Sequence, residues 1–179
     1  MVARKHEELR REVEAMTRKC GDEADAIMAG KTAIADARER SSKRGGGSSI
    51  RHLIMVVEDE DSHRDMIEGV LRSIVGIRVV TFANALEALR ELVLHAKDYT
   101  VVVTDVSMPG MDGVAFARRI RDVGVDLPVI LVTGTTDAPG RDRAMRAAGA
   151  VAAFGKPVDV GGLQDAVRKL VGASLAVGQ

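Results

Sequence analysis

The chain has no tryptophan, one tyrosine and three phenylalanines among its 179 residues. Aromatic platforms on which nucleic-acid bases could stack are therefore nearly missing. The 26 basic and 26 acidic side chains cancel, and a pI near 6.9 leaves no basic excess to attract a phosphate backbone. Nucleic acid is not an expected partner. The one cysteine, Cys20, cannot close an intramolecular disulfide, which fits a reducing compartment. No apolar run reaches the length of a membrane span, and the charged start ARKHEELRREVE lacks the hydrophobic segment of a signal peptide. A cytoplasmic protein without membrane insertion is expected.

What is present is apolar content enough for one ordinary core, 46% hydrophobic against 29% charged. Residues 41–49, SSKRGGGSS, hold nothing to bury and mark a flexible linker that ends at position 50. The first 40 residues are rich in helix formers. Leu9, Val13, Met16, Cys20 and Ile27 fall close to a heptad seam that Glu23 and Gly30 interrupt. One helix or two short ones are expected there, packed on the domain or paired with a second copy in a homodimer, because a lone helix of this length is marginal in water.

From residue 51 to 172 short apolar runs alternate with helical periods. Strands are read at Leu53–Val57, Ile77–Thr81, Thr100–Thr104, Val129–Val132 and Val151–Phe154. Helices are read at Ser62–Ile74, Ala85–His95, Val114–Asp122, Arg141–Ala148 and Gly162–Val171. Leu86, Leu89, Leu92 and Val93 recur at helical spacing, as do Leu163, Val167, Leu170 and Val171. Asn84 suits the N-cap of the second helix. Five strands alternating with five helices predict an α/β fold, a doubly wound five-stranded parallel sheet with right-handed crossovers. Residues 173–179 are expected to form a short C-terminal tail.

The strand ends carry the chemistry. The first run ends in Glu58, Asp59 and Glu60, the third in Asp105 before SMPGMDG, the fourth in Thr133, and the fifth in Lys156-Pro157. Ligands of open α/β sheets sit outside the carboxyl ends of the strands, so acids, hydroxyl and amine converge if these strands are neighbours. Crowded carboxylates raise one another's pKa unless a cation neutralises them, and a hard divalent ion with oxygen ligands does so.

In order and spacing, MVVEDE, TDVSMPGMDG, PVILVTG and AAFGKP resemble the receiver domain of bacterial two-component response regulators, over about two thirds of the chain. The resemblance implies a flavodoxin-like sheet order 2-1-3-4-5. Asp105 would be the phosphoacceptor, supplied by a histidine kinase, a histidine phosphotransfer protein or a small acyl phosphate. Asp59, Asp105 and the carbonyl of Ser107 would bind Mg²⁺, or Mn²⁺ in its place, with Glu58 reaching the ion through water. Thr133 and Lys156 would bind the phosphoryl oxygens, and Pro157 would follow a cis peptide bond that aims Lys156. The expected protein is a single-domain receiver, not an enzyme, that switches an unidentified downstream protein. Alternatives within the class are a receiver whose N-terminal helix is itself the output or dimerisation element, and a phosphate sink or relay.

Two other classes fit less well. A metal-dependent phosphatase of the haloacid type needs a second acid two residues after its aspartyl nucleophile, where this chain has Ser107. A flavin-binding flavodoxin-like protein needs a phosphate-cradling loop after the first strand. His52, His63 and His95 lack partners at metal spacing and read as surface residues. Arg141, Arg143 and Arg146 read as a solvated helix face. The GKT at 30–32 is no phosphate loop, because Asp25 stands where its first glycine is required, and His6-Glu7 lacks the proline of a kinase phosphohistidine motif. One departure touches mechanism: the aromatic that receivers carry three residues before the lysine is Ala153 here, followed by Phe154. Pro139 and Gly140 are expected to shorten or loosen the start of the fourth helix.

Overall fold

The computed structural model describes residue 11, residues 52–134 and residues 137–176, without side chains for the last three. The expectations for the N-terminal helix, the linker, the GKT at 30–32 and His6-Glu7 lie outside the described residues.

Five apolar runs form the strands β1 (His52–Val57), β2 (Ile77–Phe82), β3 (Tyr99–Asp105), β4 (Val129–Thr133) and β5 (Ala152–Gly155). All pair in parallel in the order β2-β1-β3-β4-β5. Between them lie α1 (Asp61–Arg72), α2 (Ala85–His95), α3 (Gly113–Asp122) and α4 (Ala138–Ala148), and α5 (Val160–Ala176) follows β5 and runs past the expected helix end at Val171 into the residues expected to form a tail. This is the expected doubly wound, flavodoxin-like sheet.

Near-continuous β-branched runs suit strands covered on both faces. Ile54, Val56, Val101, Val103, Ile130 and Val132 meet Ile67 and Leu71 of α1 and Leu163 and Val167 of α5 in one buried cluster. By the two-residue period of a strand, Met55, Val57, Val102 and Leu131 point to the other face, and all four are buried. Each fully buried side chain of this size stabilises the fold by about 1.5–3 kcal/mol.

The caps explain the helix boundaries. Asn84 accepts from the Glu87 amide at 2.9 Å and Asp112 from the Ala115 amide at 2.7 Å. The fourth helix begins three residues earlier than predicted. Asp137 caps it by accepting from the Gly140 amide at 2.8 Å, which places Pro139 in the first turn. There its missing N–H removes no helical hydrogen bond, so the proline starts the helix and does not shorten it. At its far end Gly149 adopts the left-handed conformation (φ 57°) that glycine accepts readily.

His52 departs from expectation. Predicted as a surface residue, it is buried at the start of β1 with Nδ1 3.4 Å from Thr100 Oγ1. Here β3 and β2 flank β1 and cover what a terminal strand position normally exposes.

Candidate functional site

Strand register decides which side chains meet. Val57 pairs with Thr104 and Asp105 with Val132, so Glu58 and Asp105 leave β1 and β3 at the same level. Thr133 pairs with Gly155, which puts Lys156 one residue beyond it at the end of β5. The Lys156 amide donates to the Thr133 carbonyl at 2.7 Å, and the Lys156–Pro157 peptide bond is cis.

The resulting site is acidic, with its inner side chains shielded from water and its outer acid open to it. Glu58 is 1% exposed and Asp105 2%, Thr133 is buried and Asp59 exposed. Asp105 Oδ2 accepts from the Ser107 amide at 3.1 Å. The ammonium of Lys156 stands between the two buried acids, 2.9 Å from Glu58 Oε2 and 3.1 Å from Asp105 Oδ1. It donates to Glu58 Oε1 at 3.2 Å.

Burial pushes the Glu58 carboxyl above the usual carboxylate range; the Lys156 hydrogen bond opposes this and the charge of Asp105 reinforces it. Burial alone would lower Lys156, but its hydrogen bonds to Glu58 and Asp105, with their charges, hold it above its ordinary value. Lys156 is therefore a fixed cation at neutral pH.

The donor set fits a hard divalent cation. Glu58, Asp59 and Asp105 each offer a carboxylate oxygen, and these atoms lie within 4.8 Å of one another. Glu58 Oε2 and Asp105 Oδ1 are buried without a directed hydrogen bond, although Lys156 stands at ion-pair distance from both. Three carboxylates against one ammonium leave two negative charges, which a divalent ion neutralises. Receiver domains bind Mg²⁺ at such an acidic pocket.

Two neighbours of the site were not legible as such. His63, expected on the surface without a partner, is half-buried at the first turn of α1. Its Nδ1 lies 3.0 Å from Glu60 Oε2, 3.9 Å from Glu58 Oε1 and 3.4 Å from Lys156 Nζ. Spacing along the chain cannot show a contact across the 93 positions to Lys156. Gly113 lies inside the SMPGMDG motif but drew no role. Its amide donates to the Val106 carbonyl at 3.0 Å, and a Cβ there would be 2.9 Å from the Asp105 carbonyl carbon. Gly113 thus lets α3 start directly against the backbone of the acid.

Phe154 does not replace the missing aromatic. It packs on the α1 and α5 cluster, and adjacent strand residues face opposite sides, so the position of Ala153 keeps only a methyl group. Arg143 and Arg146 are exposed on α4, as expected of a solvated face.

Comparison with known proteins agrees with this geometry. The family model of the response regulator receiver domain matches residues 54–168, more than half of the chain. Nodulation protein W of Bradyrhizobium diazoefficiens is 36% identical over 120 residues, which cover 67% of this chain and 51% of that protein. The DNA-binding transcriptional regulator NtrC of Escherichia coli is 34% identical over 110 residues, 62% of this chain and 23% of the regulator. The chain therefore spans about half the length of the first relative and about a quarter of the second. A solved response regulator receiver domain from Clostridium thermocellum is 28% identical, with a TM-score of 0.63 over 71% of this chain and 99% of that one. Sheet order, acid-lined strand ends and a family match that runs from β1 into α5 lead to one identification: the chain belongs to the response regulator receiver domains of two-component signalling.

Proposed function

We propose that the receiver accepts a phosphoryl group on Asp105 from the phosphohistidine of a kinase or phosphotransfer protein and thereby changes its affinity for a downstream protein. The placement of Asp105 carries this reading: a nearly buried carboxylate at a strand end, with an ammonium 3.1 Å away and two further acids beside it. A carboxylate oxygen attacks phosphorus, the new O–P bond forms as the P–N bond breaks, and the electron pair stays on the imidazole nitrogen of the donor. Phosphoryl transfer needs little from a protein beyond positioning and charge neutralisation.

Each neighbour has a role in that step. The Ser107 amide holds Asp105 Oδ2, so the side chain presents a defined oxygen to the donor. Lys156, now shared between Glu58 and Asp105, turns to a phosphoryl oxygen as one carboxylate oxygen becomes the bridging oxygen of an acyl phosphate. The Thr133 hydroxyl, one residue beyond the level of Asp105 on the adjoining strand, donates to another. Asp59, Asp105 and the Ser107 carbonyl would hold Mg²⁺, with Glu58 bound through water. When bound, the ion screens the charge of acids and phosphoryl oxygens. Ser107 stands where a haloacid-type phosphatase needs an acid.

The experiment is phosphorylation of the full chain with acetyl phosphate and Mg²⁺, read by mass spectrometry. One labelled residue, Asp105, is expected. Labelling elsewhere, or none, would overturn the proposal.

A further inference from the structure

Within the turn that carries Glu58 and Asp59 the one local backbone-to-side-chain anchor among the described residues is long: the Glu60 amide donates to Glu58 Oε1 at 3.5 Å. Glu60 occupies the N-cap of α1 but makes no side-chain cap; its carboxylate accepts from Ser62 Oγ at 2.6 Å and faces His63. A side-chain cap would satisfy only N–H donors of the first turn, so the carbonyls that precede the helix need a donor of their own. Here one side chain from inside the helix takes the carbonyls of the turn. Arg64 Nη1 donates to the Glu58 carbonyl at 2.8 Å and to the Asp59 carbonyl at 3.4 Å, while Nη2 pairs with Asp61. The Arg64 side chain is only 16% exposed, so it competes little with water for these acceptors.

We propose that Arg64 is the positioning residue of the acid pair. By bridging the carbonyls of Glu58 and Asp59 it fixes the directions in which both carboxylates leave the backbone, and so sets the affinity of the site for a divalent cation. This rests on reading Glu58, Asp59 and Asp105 as a cation site. The guanidinium suits the task because its planar fork reaches two carbonyls and a carboxylate at once, which an ammonium cannot do in the same fixed geometry. Its pairing with Asp61 offsets much of the repulsion that a second cation near the site would bring.

Charge and positioning predict opposite signs, which makes the proposal testable. If Arg64 acted only through its charge, Arg64→Met would remove a repelling cation and tighten metal binding, while Arg64→Lys would change nothing. Positioning predicts weaker binding in both.

The test is titration of the full-length protein with Mn²⁺, following the free ion by electron paramagnetic resonance, on wild type, Arg64→Met and Arg64→Lys, with a thermal melt of each. Loss of about tenfold in Mn²⁺ affinity is expected for both variants, at the low end of what residues that hold metal ligands contribute. Should Arg64→Met fail to fold, Arg64→Lys decides alone. Tighter binding by Arg64→Met, wild-type affinity in Arg64→Lys, or a lowered melting temperature with unchanged affinity would each overturn the proposal. Failure of the underlying reading looks different: wild type itself would not bind Mn²⁺, or Asp59→Asn would bind it as well as wild type.

Discussion

Replacing Gly113 by alanine tests how tightly α3 is built against the phosphoacceptor. The added Cβ would overlap the Asp105 carbonyl oxygen and stand 2.9 Å from its carbon and 3.0 Å from Val106 Cα. All three atoms are backbone, and Val106 is held by its amide N–H, which donates to the Val132 carbonyl at 2.8 Å. No flexible side chain can move aside. Overpacking of this kind costs about 1–3 kcal/mol, and a rigid neighbour puts Gly113→Ala near the top of that range, about 3 kcal/mol. For a domain of this size the melting temperature should fall by roughly 10 °C. Relief by tilting α3 would displace Asp105, and a shift of 1 Å in a reacting group costs up to about 100-fold in rate. Scanning calorimetry and the rate of labelling by acetyl phosphate measure the two effects. Gly69→Ala is the control, since a Cβ there meets nothing within 4 Å and should stabilise α1 by about 0.5–1 kcal/mol. If Gly113→Ala melted and labelled like wild type, the close approach of α3 to Asp105 would be wrong.

Three further outcomes follow from the same geometry. Burial raises the Glu58 pKa, so the folded protein holds that proton more tightly than the unfolded chain, and stability is lost as pH rises from about the ordinary value of 4.5 through the folded value. Glu58→Gln should therefore raise the metal-free melting temperature at neutral pH and lose the advantage at acid pH; a lower melting temperature at every pH would refute this. Asp59→Asn should weaken the Mg²⁺ dependence of labelling, and an unchanged Mg²⁺ titration would remove Asp59 from the ligand set. Removal of residues 1–49 should leave labelling of Asp105 intact, whereas loss of both folding and labelling would make that segment part of the receiver's core.

The sheet was legible because each buried strand writes itself as a short β-branched run. Leu53–Val57 and Val129–Val132 needed only one residue added at one end. The site was legible for a related reason: a parallel sheet brings all strand ends to one edge, so four polar residues closing four apolar runs had to be neighbours once the order was known. What escaped was what depends on distance in space. Pro139 was weighed as a helix breaker because its meaning depends on where the helix starts, which the Asp137 cap decides. The contacts of His52 with Thr100 and of His63 with Lys156 carried no spacing signal, since they span 48 and 93 positions. The sequence offers no signal for Arg64, and only the fold shows its fork on the carbonyls of the acid turn.

The central claim is that one carboxylate, Asp105, carries the phosphoryl group. Its most direct test is peptide mass spectrometry of wild type and Asp105→Asn after acetyl phosphate and Mg²⁺, with borohydride reduction to trap the acyl phosphate. The structure predicts a single modified peptide containing Asp105 in wild type and no modification in the variant. Full labelling of Asp105→Asn, or a modified residue outside the pocket, would contradict it.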